Sequence, residues 1–109
     1  MRLVSQRRPV FAAFFLGCKQ RLIRFSEIAH GENDGVKVYP KELVRDALAC
    51  DAAQVLCVRS DPCGDHRPTP YDIDDARRVN RALEMLMIPL LDYLIVGQAA
   101  SSLRQRGVL

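Results

Sequence analysis

The sequence predicts one mixed α/β domain, a sandwich in which a mixed β-sheet is flanked by helices. Three observations predict it. Short apolar runs bounded by Pro or Gly recur along the chain, amphipathic patterns at helical spacing lie between them, and no linker or internal repeat divides the 109 residues. Strands and helices interleaved in this way pack in layers around one core. A single domain of this length hides roughly 65% of its unfolded surface.

Val10 to Leu16 is apolar on both alternations, rich in Phe, and bounded by Pro9 and Gly17, which predicts a first strand buried on both faces. Gly17-Cys18-Lys19-Gln20 is a polar turn of hairpin length, and Arg21 to Ile28 is the returning antiparallel strand. His30 to Asp34 is a loop, and Gly35 to Val38 a short extended piece. Pro40 stands at a first helical position, where its missing N–H costs nothing. Leu43, Val44, Ala47 and Leu48 share one face of that helix, which ends near Asp51. Ala53 to Val58 is the next buried strand, followed by a polar loop from Arg59 to Asp72. The second helix carries an apolar stripe of Ile73, Ala76, Val79, Leu83, Leu86 and Met87. Asp74 and Arg78 are spaced for an ion pair on its other side, so Arg77, Arg78 and Arg81 form a solvated, paired face. Pro89 to Val96 is a last strand, and Ser101 to Gly107 a terminal helical turn.

Composition is that of a globular protein: 49% hydrophobic, 27% charged, net charge +3. That mild charge gives no strong signal for nucleic acid. No run approaches the roughly 20 apolar residues of a membrane span. Cys18, Cys50, Cys57 and Cys63 contain no Cys-x-x-Cys pair, which argues for reduced thiols in a cytoplasmic protein over a structural zinc ribbon. A competing reading takes Arg2, Arg7 and Arg8, the apolar run, and Gly17-Cys18 as a lipoprotein signal, at the short limit for such a core.

The polar loop carries the functional argument. Arg59, Asp61, Thr69 and Asp72 are spaced by two, eight and three residues, within Arg59-Ser60-Asp61-Pro62-Cys63-Gly64-Asp65 and Pro68-Thr69-Pro70-Tyr71-Asp72-Ile73. This pattern resembles the RadC-like branch of the JAB/MPN metallopeptidases, whose strand ends in His-x-His-Pro-Ser-Gly and whose next helix opens with Pro-Ser-x-x-Asp. The resemblance extends to Val38-Tyr39-Pro40-Lys41-Glu42-Leu43-Val44, to Asp51-Ala52-Ala53, to Ile88 through Gly97, and to Ser102 through Gly107. It covers about residues 9 to 109 and implies a cytidine-deaminase-like sandwich. It also implies a short member, without the helical region that longer members carry in front.

In that family two histidines and an aspartate hold zinc with one position open for water. The metal acidifies the water, a glutamate takes its proton, and a serine donates to the developing oxyanion. Carried over by position, the resemblance puts Arg59 at the first histidine, and arginine does not ligate metal. It puts Asp61 at the second histidine, Thr69 at the serine and Asp72 at the retained aspartate. Pro9 falls at the glutamate of Glu-x-Phe, Cys63 at the serine of Pro-Ser-Gly, and Asp92-Tyr93 at a usual Asp-His. Two carboxylates beside a guanidinium favour an ion-paired cluster over a zinc site. Thr69, Pro70 and Asp72 also fit a helix start on their own: N-cap, N1 and N3.

The expectation is a catalytically degenerate domain that binds an unidentified protein and takes no cofactor. The alternatives are an active zinc metallopeptidase with an altered ligand set, a mixed metal site from Asp61, Cys63, His66 and Asp72, and a Cys63 nucleophile activated by His66.

Overall fold

The computed structural model of the chain describes residues 8–31 and 38–109. Five strands and two helices follow one another as β1 (Val10–Leu16), β2 (Leu22–His30), α1 (Pro40–Ala49), β3 (Gln54–Ser60), α2 (Pro70–Met85), β4 (Leu90–Val96) and β5 (Ala100–Ser102). The strands form one mixed sheet in the order β2-β1-β3-β4-β5, the mixed α/β architecture that the interleaved patterns predict. The expected extended piece at Gly35 to Val38 lies largely outside the described residues, and His30 belongs to β2.

β1 pairs antiparallel with both β2 and β3, which makes it central and accounts for its apolar run on both alternations. The turn before β2 is a single 3-10 turn at Cys18–Gln20, with Lys19 and Gln20 both at positive φ. β3 and β4 run parallel, as a strand–helix–strand crossover requires. β5 closes the sheet antiparallel to β4. Ser101 and Ser102 therefore lie in a strand and not in the expected helical turn, which is limited to the residues that follow.

Both helices pack on one face of the sheet. Phe11, Phe15, Val55, Cys57, Tyr93 and Ile95 meet Leu43 and Ala47 of α1 and Ala76, Val79 and Leu83 of α2 in one core. A smaller cluster on the other face centres on Val10, Ala12 and Val58, with the rings of Phe14 and Phe25 4.9 Å apart and tilted by 52°. Pro40 starts α1 as expected. Leu48, Leu86 and Met87, placed on the apolar stripes by spacing, are exposed: Leu48 lies one residue round the helix from the fully buried Ala47, and Leu86 and Met87 follow the last residue of α2. Arg78 pairs with Asp75 at 3.0 Å and not with Asp74: a three-residue step serves as well as four, and Asp75 is the less exposed carboxylate. Arg77 donates to the Val108 carbonyl. All four cysteines are free thiols. Among the described residues no helix is long and apolar enough to cross a membrane.

Candidate functional site

β3 runs two residues past the end of its apolar run, so Arg59 and Ser60 are strand residues and not the start of the loop. Their polarity hides them from an apolar-run criterion, but the ladder is made by backbone. Arg59 pairs with Phe11 of β1 on one side and Ile95 of β4 on the other. Strand alternation then turns Arg59 to the helix-covered face and Ser60 to the opposite one. Ser60 is fully buried; its hydroxyl accepts from the Val10 N–H at 3.0 Å and donates back to the Val10 carbonyl at 3.5 Å. The sequence alone carries no signal for this lock between β3 and β1.

The loop from Asp61 to Thr69 bends back at once. Asp61 N–H donates to the Val96 carbonyl, and Asp61 Oδ1 accepts from the Cys63 N–H at 2.8 Å. Gln98 N–H donates to the Gly64 carbonyl at 3.1 Å. The loop and the β4–β5 turn approach so closely that a Cβ on Gly97 would lie 2.3 Å from the Gly64 oxygen. Only glycine fits there.

α2 begins where the spacing places it. Thr69 is its N-cap, with its hydroxyl accepting from the Asp72 N–H at 3.2 Å, while Asp72 Oδ2 accepts from the Thr69 N–H at 2.8 Å. This reciprocal pair satisfies two N–H groups that the first turn leaves without partners. The Thr69 hydroxyl also donates to Asp72 Oδ2 at 3.0 Å.

The helix start and the strand end meet through one ion pair. Arg59 Nε and Nη2 donate to Asp72 Oδ1 and Oδ2, the latter at 2.8 Å, in a fork-on-fork arrangement. The pair is withdrawn from solvent, with side chains 11% and 4% exposed. Burial alone would lower the Arg59 pKa; the hydrogen bonds and charge of Asp72 outweigh it and the net shift is upward. Of the two carboxylates expected beside the guanidinium, Asp72 takes both charge-assisted bonds, while Asp61 turns to the Cys63 amide and contributes only its nearby charge.

Pro9 is buried immediately before β1, with its carbonyl accepting from Gly31 N–H. Carried two residues beyond Phe11–Arg59, the β1–β3 register sets Pro9 opposite Asp61. Pro9, Arg59, Asp61, Thr69 and Asp72 are therefore neighbours at one end of the sheet. Cys63 and His66 are not assembled with them: neither side chain forms a hydrogen bond among the described residues, and Cys63 is exposed. A thiol with no base in hydrogen-bond reach has no activated nucleophile to offer.

Two further groups border the pair. Tyr93, beside Cys57 in the β3–β4 register, stacks on Phe11 at 5.8 Å, and its hydroxyl is buried without a hydrogen-bond partner among the described residues. Burial pushes its phenol well above the ordinary range, and the same effect raises the Cys57 thiol. The substitution of Tyr for His after Asp92 was visible in the sequence, but not that the ring fills the core beneath the site.

A profile of the family described as RadC-like JAB domain matches residues 1–108. Among curated bacterial proteins, a "UPF0758 protein" of Vibrio cholerae is 35% identical over 108 residues, covering 99% of this chain and 68% of that protein. Proteins of the same name from Cellvibrio japonicus and Marinobacter nauticus are 43% and 38% identical over 109 residues. The chain spans 49% of the length of each of those two.

Proposed function

Because the chain belongs to the RadC-like JAB domain family, we propose that it keeps the family's fold without its zinc hydrolysis and serves as a non-catalytic interaction module. One observation carries this reading: the guanidinium of Arg59 occupies both oxygens of Asp72, the one family ligand that is retained. Zinc needs lone pairs, and this donor set does not fit it. Arg59 supplies none, Asp72 has both oxygens engaged in four hydrogen bonds from Arg59 and Thr69, and Asp61 Oδ1 is held by the Cys63 amide. At the position of the proton-taking glutamate, Pro9 has no side-chain oxygen. The arginine supplies the positive charge that Asp72 requires, so this carboxylate stays buried without a metal. The four free thiols accord with a cytoplasmic protein.

Metal analysis of the purified chain tests the reading. The expected outcome is no stoichiometric zinc and no peptidase activity. Stoichiometric zinc that disappears in Asp61→Ala or Asp72→Ala would instead establish a metallopeptidase with an altered ligand set. The complementary experiment restores the family's residues: Pro9→Glu, Arg59→His and Asp61→His together are expected to create zinc binding. A folded triple variant that takes up no metal would show that these three positions do not correspond to the family's.

A further inference from the structure

We draw no further inference here: the strongest candidate, the sheet face opposite the two helices, where the half-buried Phe14, Phe25, Leu94 and Val96 pack against Val10, Ala12 and Val58, is an apolar face without a helix over it among the described residues, and nothing in the structure shows what covers it.

Discussion

Asp72 and Asp92 are carboxylates of the same domain, one opening α2 and the other inside β4, yet each is compensated by different chemistry. Asp72 is buried and meets a cation, with Arg59 gripping both oxygens while Thr69 adds its amide and hydroxyl. Asp92 is half-buried and meets only neutral donors. Its Oδ1 accepts from the N–H groups of Tyr93 at 2.7 Å and Arg104 at 3.1 Å, and its Oδ2 from the Ser102 hydroxyl. An arginine is near Asp92 too, but Arg104 turns its guanidinium to the carbonyls of Leu90 and Leu91, each at 2.6 Å. Filled acceptor positions suffice for a carboxylate that water still reaches. A carboxylate cut off from water needs a counter-charge as well, because desolvating an unpaired charge costs far more than desolvating a hydrogen-bonded one. The ion pair is therefore a requirement of the place that Asp72 occupies.

The largest expected effect follows from breaking that compensation on one side. Asp72→Ala leaves Arg59 buried without a partner and removes half of the capping box, so chemical denaturation should show a loss of about 3–5 kcal/mol. Neutralising both partners with Arg59→Met and Asp72→Asn should cost markedly less than Asp72→Ala, since no buried charge remains. A double variant as unstable as Asp72→Ala would show that capping, and not charge, sets the stability. At Asp92 the logic predicts a smaller loss: Asp92→Asn keeps the shape, abandons no counter-charge, and should cost about 1–2 kcal/mol through its weakened acceptors. A loss as large as that at Asp72 would erase the distinction between the two sites.

Thr69→Ala separates the cap from the charge. It removes the hydroxyl that accepts from Asp72 N–H and leaves the Arg59 pair in place, for an expected loss of about 1 kcal/mol in the same denaturation experiment. The smallest effect belongs to a solvated control, Asp65 and Arg67, which make a bidentate pair on the exposed loop. The side-chain hydrogen bond from Arg67 holds the Asp65 carboxyl at about 2. A depressed carboxylate pKa stabilises the fold above the unfolded value of roughly 3.9 and loses that contribution as pH falls through about 2. Carboxyl NMR titration should place the Asp65 midpoint near the lower figure and move it upward in Arg67→Ala, with little change in stability because both groups are in water.

Much of the fold was legible in the sequence because local chemistry specifies it. Pro40 and the Thr69-Pro70-Tyr71-Asp72 box start the helices through bonds made within one turn. The Phe-rich run of β1 declared a strand buried on both faces. What escaped depends on contacts between distant residues. β3 continues through Arg59 and Ser60 because β1 and β4 flank it, although both residues are polar. Ser101 and Ser102 are a strand because β4 offers an edge, which no local pattern announces. Leu48 flanks the buried line of Leu43 and Ala47 and points away from it, and Met87 lies past the end of α2.

The candidate site divides in the same way. The spacing from Arg59 to Asp72, the presence at position 59 of an arginine that offers no lone pair to a metal, and the capping role of Thr69 were fixed by residue identity, since they concern which atoms each residue carries and which neighbours lie within a turn. The partner that Arg59 takes was decided by tertiary structure alone. Asp61 is two residues away in sequence and Asp72 thirteen, yet the strand's alternation aims the guanidinium at the helix start while the loop turns the Asp61 carboxylate to its own backbone. Sequence distance counts bonds along the chain; the choice between two carboxylates is made by direction and burial, which arise only when β1, β3 and the start of α2 are packed together.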